Sequence, residues 1–252
     1  MTVAIGVDVG GTGIKAAAVD TGMSTLVGPR LAEPTPPGGE PGDVARVVAG
    51  LVRRIEEATD ERDAPVGVAV PSVVVGGRTR TAANISPAWI GLPAAQVLST
   101  AVGRPVGVLN DADAAGWAEV HDGAATGVAG LVIVLTLGTG IGSALVHDGV
   151  LVPNTELGHL EIDGHRDYEQ YASPVARERE GIGWDAWRAR LRRYLETLEA
   201  LLTPTLFVIG GGISLRPELF LPGLDGLATP VRPARHAQDA GIIGAAERAL
   251  LG

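Results

Sequence analysis

The sequence has no cysteine, which excludes disulfides, thiolate-bound zinc and a cysteine nucleophile. Aromatic side chains make up only 4 % of its 252 residues, so any core is built mainly from Val, Leu, Ile and Ala. Lys15 is the single lysine, and arginine carries the rest of the positive charge. No apolar run approaches the roughly 18 residues of a membrane-crossing helix. The opening MTVAIGVDVGG lacks the basic segment and cleavage site of a secretory leader. A formal charge of −9 argues against nucleic acid as a partner held by bulk charge. A cytoplasmic protein with neither membrane nor nucleic acid as partner is expected. What is present is a globular composition, 46 % hydrophobic and 19 % charged, in a chain long enough for one or two domains.

The chain echoes itself. Gly11-Thr12-Gly13-Ile14 recurs as Gly138-Thr139-Gly140-Ile141, and the echo runs on through Ala17 and Ala144, Val19 and Val146, Gly22 and Gly149. Each copy reads as an apolar strand, a glycine turn and a second strand: VAIGVDV then IKAAAVD, and LVIVLTL then GSALVHD. Between and after the copies, helical and strand patterns alternate. Apolar residues at helical spacing predict a helix over 43–58, with Asp43 as its cap. Further helices are predicted over 93–102, 111–121, 184–202 and the tail 239–251. Strands are predicted over 65–71 (buried) and 105–110, a strand running into a glycine turn over 206–212, and loops over 34–42 and 165–180. The pattern is that of an α/β fold with a duplicated domain, two α/β lobes around a central cleft.

Five segments carry chemistry. In DVGGTGIK, Gly10, Gly11 and Gly13 free backbone N–H groups to face an anion, Thr12 adds a hydroxyl, and Asp8 can hold a metal ion through water or phosphate. Lys15 is either a point charge for a phosphate or a structural side chain. Gly138, Thr139 and Gly140 form a second turn of the same type. Asn110-Asp111 lies where a strand ends and a helix begins, the ligand-binding end of an open α/β sheet. Asp111 there is either a helix cap or a general base for a hydroxyl. Asp113 reads as a second cap or a surface residue. In ELGHLE, Glu156 and His159 suit the hydroxyls of a sugar better than zinc, since no third ligand stands near. Glu161 and Asp163 read as loop-fixing, and Asn84 can read a hydroxyl. Trp89 either stacks on a sugar or fills the core, while Trp184 and Trp187 belong to core or interface. Arg177, Arg179, Arg188, Arg190, Arg192 and Arg193 form either a solvated helix face or an anion groove.

DVGGTGIK, TAANISPAWIG, VLNDADAAG, LTLGTGIGSAL, VLVPNTELGHLEIDGH, LFVIGGGIS and DAGIIGAA together resemble the ROK family of sugar kinases (repressor, open reading frame, kinase), in its polyphosphate glucokinase branch. The resemblance covers nearly the whole chain. It implies an actin-like, hexokinase-type fold related to ribonuclease H, with a small lobe of 1–110 plus 240–252 and a large lobe of 111–239. It implies transfer of a phosphoryl group from inorganic polyphosphate, and ATP, to the 6-hydroxyl of glucose, with Mg²⁺ and in a homodimer. Carried over by position, Asp111 is the general base, and Asn84, Asn110, Asp111, Glu156, His159 and Glu169 bind glucose. Asp8 and Gly10 to Gly13 match the first phosphate motif, Gly138 to Gly140 the second, and Gly210, Gly211 and Gly212 the turn bordering adenosine. The chain departs from the family in lacking the Cys-rich zinc motif, in Ser72 after Pro71, and in Ala88 before Trp89. The last removes a lysine often found there in the family, a candidate polyphosphate contact, so a strictly ATP-dependent kinase of glucose or a related hexose is the alternative. A sugar sensor would carry an extra DNA-binding domain ahead of the first strand, and an actin-like filament subunit would not need Asn110-Asp111 with Glu156 and His159.

Overall fold

A computed structural model describes residues 2–250. It divides into two compact units, one of residues up to Ala114 together with those from Asp239 onward, the other of Ala115–Gln238.

In the first unit, β1 (Val3–Val9) and β2 (Gly13–Asp20) form the expected hairpin, and β3 (Thr25–Pro34) adds to β2. Then come α1 (Pro41–Thr59), β4 (Val66–Val70), the small hairpin β5 (Val74–Val75) and β6 (Arg78–Thr79), α2 (Ala94–Val102) and β7 (Val106–Asn110). The sheet order is β3-β2-β1-β4-β7, with β4 parallel to β1 and β7 parallel to β4. β4, and β1 apart from Asp8, are apolar because both faces are covered. The apolar stripe of α1, with Val44, Val48, Leu51, Val52 and Ile55, is buried against this sheet. α1 starts at Pro41, two residues before the predicted cap; proline is preorganised for the first helical position, and Asp43 pairs instead with Arg46 one turn on. The predicted loop over 34–42 is thereby shortened at both ends. α2 ends where Gly103 takes a left-handed φ of 88°. Trp89 is fully buried and donates its indole N–H to the Gly39 carbonyl at 2.9 Å, so it belongs to the core.

α3 (Asp111–Asp122) leaves β7 and enters the second unit. There β8 (Leu131–Leu137), β9 (Ile141–His147) and β10 (Val150–Val152) are followed by α4 (Glu169–Ala172), α5 (Pro174–Glu180), α6 (Trp184–Leu202), β11 (Leu206–Gly210) and β12 (Val231–Pro233). The sheet order is β10-β9-β8-β11-β12. Position for position this repeats the first sheet: a central strand, two antiparallel neighbours on one side and two parallel strands on the other. The duplication read from the glycine turns is therefore a duplication of topology. Eight of the nine aromatic residues lie in this unit, and Trp187, Tyr168, Tyr194, Phe207 and Phe220 fill its core.

Of the predicted loop over 165–180, 165–168 is a loop, and the rest forms the short helices α4 and α5. Ser173 caps α5 by accepting the Ala176 N–H at 3.2 Å, Pro174 opens it, and Gly181 closes it at φ 65°. In α3 the buried Glu119 carboxylate accepts three backbone N–H groups, from Ala124, Arg235 and His236, at 2.8, 3.0 and 2.7 Å. That set of bonds compensates the cost of burying a charge. Among the described residues no helix is long and apolar enough to cross a membrane.

α7 (Ala240–Ala249) closes the first unit by lying across β1 and β4 at backbone distance. A Cβ at Gly6 would fall 1.8 Å from the Ile242 carbonyl oxygen, and one at Gly67 1.8 Å from that of Ala245. A Cβ at Gly244 would fall 1.8 Å from the Ala114 carbonyl oxygen. Only glycine fits these contacts. Gly67→Ala is expected to lower unfolding free energy by about 3 kcal/mol, as overpacking does. Gly50→Ala, inside α1 with no atom within 4 Å of the new carbon, is expected to raise it by about 0.5–1 kcal/mol. Urea unfolding of the two variants checks both signs.

Candidate functional site

In the first unit the candidate residues gather where β1, β4 and β7 end. After β1 the chain turns through Gly10–Gly13, closed by the Gly10 N–H on the Gly13 carbonyl at 3.0 Å. Thr35 clamps this turn from the end of β3, its hydroxyl donating to the Gly10 carbonyl at 2.5 Å and its N–H to the Thr12 carbonyl at 3.2 Å. Gly11 and Thr12 remain exposed. Asp8 faces Lys15 across the hairpin, with 3.7 Å between Oδ2 and Nζ, so the lysine has a structural partner. Burial pushes the Asp8 carboxyl above the usual carboxylate range, against the pull of Lys15 and Arg30. Gly241, in the first turn of α7, leaves room for Asp8: a Cβ there would stand 3.1 Å from its Cγ.

Asn84 holds a left-handed φ of 59° and packs on the same turn. A Cβ at Gly11 would lie 2.7 Å from both the Cβ and the carbonyl oxygen of Asn84. At the end of β7, buried Asn110 donates to the Ser72 carbonyl at 3.2 Å and accepts the Asp113 N–H at 3.0 Å. The cap of α3 is therefore Asn110, not Asp111. Asp111 is partly exposed on the first turn, with Oδ1 2.9 Å from the Ala112 nitrogen. Asp113 corrects the expectation of a cap or surface residue: it is 2 % exposed.

In the second unit the turn after β8 closes by the Gly138 N–H on the Gly140 carbonyl at 3.1 Å, the counterpart of the Gly10 bond. Glu169, at the start of α4, lies beneath it and accepts the Ile141 N–H at 2.9 Å. Gly140 and Gly158 make its space: a Cβ on either would stand 2.2 or 3.2 Å from Glu169 Oε2. Glu156 precedes a 3-10 turn over Leu157–His159, whose Leu157 N–H bonds Ser143 Oγ at 3.0 Å. His159 Nε2 stands 3.8 Å from Glu156 Oε2, and its Nδ1 is 3.0 Å from Asp167 Oδ1. Burial raises the Glu156 carboxyl above its ordinary range, and nearby Glu169 adds to this against His159. Asp167 has no signal in the sequence; only the folded loop brings it to His159. Gly210, paired in register with Thr136, and Gly211, at φ 79° against the Leu137 carbonyl, place the third glycine turn beside Gly138–Gly140.

The arginines of 177–193 are each engaged within the protein. Arg179 and Arg190 pair with Glu180, Arg188 with Asp185, Arg192 with Glu196, and Arg193 grips Asp163 with two bonds at 2.7 and 2.8 Å. Arg177 lies over the Trp184 ring at 3.8 Å. They form a paired face rather than an open anion groove, and Asp163 fixes its loop. For a divalent ion, no three carboxylate or imidazole side chains gather into a cage among the described residues. Asp8 beside an exposed glycine turn instead fits an ion that keeps most of its oxygens from phosphate and water.

Residues 4–178 match the model of the ROK family, and the chain belongs to that family. It is 43 % identical to a polyphosphate glucokinase of Mycobacterium tuberculosis over 242 residues, which is 96 % of this chain and 89 % of that protein. Among solved structures, the inorganic polyphosphate/ATP-glucomannokinase of Arthrobacter sp. strain KM superposes with a TM-score of 0.96 at 47 % identity, covering 100 % of this chain and 99 % of that one. A ROK family glucokinase from Streptomyces griseus, in complex with glucose and AMPPNP, gives 0.81 at 27 % identity, covering 99 % and 100 %. The fold is thus the actin-like α/β fold of ROK sugar kinases, as the resemblance implied.

Two alanine variants separate structure from ligand in the second turn. Gly140→Ala drives a methyl into the Glu169 carboxylate and is expected to cost about 2 kcal/mol of stability. Gly138→Ala meets no atom within 4 Å and is expected to change stability by less than about 0.5 kcal/mol. Thermal unfolding of both distinguishes them.

Proposed function

We propose that this chain moves the terminal phosphoryl group of inorganic polyphosphate, with ATP as a second donor, to the 6-hydroxyl of glucose, giving glucose 6-phosphate. The observation that carries this reading is the full-length likeness to the Arthrobacter polyphosphate/ATP-glucomannokinase, 47 % identical with a TM-score of 0.96. The chemistry of the candidate residues in each unit supports it. Asp111 accepts the proton of the attacking hydroxyl as the new O–P bond forms and the bond to the departing phosphate breaks. Its place on the first turn of α3 is set by the Asn110 cap. The exposed turns Gly10–Gly13 and Gly138–Gly140, with the Thr12 and Thr139 hydroxyls, meet phosphoryl oxygens through N–H and O–H donors. Glu156, His159, Glu169, Asn84 and Asn110 bind the hydroxyls of the sugar. Asp8, with phosphate and water, would hold Mg²⁺, which would supply charge neutralisation at the phosphates. Lys15 supports Asp8.

The Gly210–Gly212 turn beside the second phosphate turn favours an adenosine pocket, so ATP as sole donor is the second reading. A homodimer working in the cytoplasm completes the proposal, and sedimentation velocity tests the dimer.

The deciding assay is glucose 6-phosphate formation by purified protein with Mg²⁺, with polyphosphate and ATP compared at matched phosphoryl concentration. Turnover with both is expected; turnover with ATP alone would move the assignment to the second reading. Asp111→Asn is expected to retain glucose binding while losing about 10²–10⁴-fold in kcat. Near-normal turnover would remove Asp111 from the base role. A pH series adds a further check. Because Glu156 takes up a proton at higher pH than an ordinary glutamate, KM for glucose should begin to rise above the ordinary carboxylate range as pH falls. Glu156→Gln should abolish that limb.

A further inference from the structure

We propose that Asp167 is the positioning residue that keeps the outward nitrogen of His159 a hydrogen-bond acceptor for a sugar hydroxyl. The inference rests on the sugar-binding reading of Glu156 and His159 given above. Asp167 Oδ1 lies 3.0 Å from His159 Nδ1. A carboxylate only accepts, so the ring must donate there, and a neutral imidazole with its proton on Nδ1 presents a lone pair on Nε2. On that side Glu156 Oε2 stands 3.8 Å away, beyond hydrogen-bond reach. Two acceptors at this spacing take one hydrogen each from neighbouring hydroxyls of a sugar. With the proton on Nε2 instead, the ring would turn it to Glu156 and the pair would close on itself.

The loop that carries Asp167 is built to hold it. Asp167 adopts φ 46°, a conformation that Asp tolerates better than most residues, and its carbonyl accepts the Gln170 N–H at 2.7 Å. The Arg193 fork fixes Asp163, and Ile162 and His165 exchange N–H···O bonds at 3.1 and 2.9 Å. The Tyr168 N–H bonds the Leu160 carbonyl at 3.0 Å, and the His165 ring stacks on Tyr171. The Asp167 side chain itself is 58 % exposed, so packing does not explain its place. The titratable groups around His159 are Glu156 and Asp167, with Glu169 acting on Glu156.

The test uses the full chain labelled with ¹⁵N-histidine, with Asp167→Asn and Asp167→Gly, since Asn and Gly both suit a left-handed backbone. Ring nitrogen shifts at neutral pH are expected to show the Nδ1–H tautomer in the unchanged protein. The Nε2–H form should appear in Asp167→Gly, which removes the acceptor, while Asp167→Asn, whose amide Oδ1 still accepts, should keep the Nδ1–H form; the other four histidines should keep their signals in both. In Asp167→Gly, KM for glucose should rise about tenfold, the size of one charge-assisted hydrogen bond, with kcat and the donor KM within about twofold. An Nε2–H tautomer in the unchanged protein overturns the proposal, as does an unmoved tautomer or an unmoved KM in Asp167→Gly. Shifts spread over all five histidines assign Asp167 a structural role and overturn it too. If the unchanged protein neither binds nor phosphorylates glucose, the glucokinase reading fails, and the ring signals still decide what Asp167 does to His159.

Discussion

The carbonyl oxygens of Ile242 and Ala245 occupy the space that the first side-chain carbon of residues 6 and 67 would need. Much of the first unit follows from that contact. With β1 and β4 bare of side chains at these two points, α7 comes down to backbone distance, and its first turn reaches Asp8. Asp8 ends up half-buried beside Lys15, at the root of the glycine turn. A bulkier interface would lift the helix and leave that carboxylate in solvent, with an ordinary affinity for its proton. Close packing of backbone on backbone thus sets the electrostatics several residues away.

The same five-strand order, built twice, puts a glycine turn at the end of the central strand of each sheet. In the second sheet the neighbouring parallel strand ends in glycines as well, so two turns stand side by side. In the proposed function, phosphate recognition would fall to the exposed backbone N–H groups of these turns, which need no side-chain charge. That agrees with a chain of charge −9 whose arginines on α5 and α6 are occupied by Glu180, Asp185, Glu196, Asp163 and Trp184. Those guanidiniums hold helices and loops together, including the loop that carries Asp167 and Glu169.

The two hairpins, α1, α6 and β4 were legible because their residues repeat at strand or helix period. What was not legible depended on partners distant in sequence. α4 and α5 are too short for periodicity to register, although Ser173-Pro174 and Gly181 do mark the ends of α5. Asp113 looked like a surface residue because nothing in its neighbours announces that Asn110 caps the helix and turns Asp113 inward. The glycine turns, Asn110-Asp111 and Glu156 with His159 stood out by composition alone, whereas Asp167 met His159 only through a loop tied down by Arg193. Trp89 and the arginine run were ambiguous by sequence, since an aromatic or a cation reads the same in a site, a core or an ion pair until its partner is known.

α7 also has a consequence for how the protein is made. It belongs to the first unit, yet the whole of the second unit is translated before it. Until it leaves the ribosome, β1 and β4 present an uncovered strip at Gly6 and Gly67, and the first sheet lacks its cover on that face. The second unit, contiguous in the chain, can complete itself first. Closure of the first unit is then a late, long-range event, the kind of contact that folds slowly and leaves apolar strands open to association while it is pending.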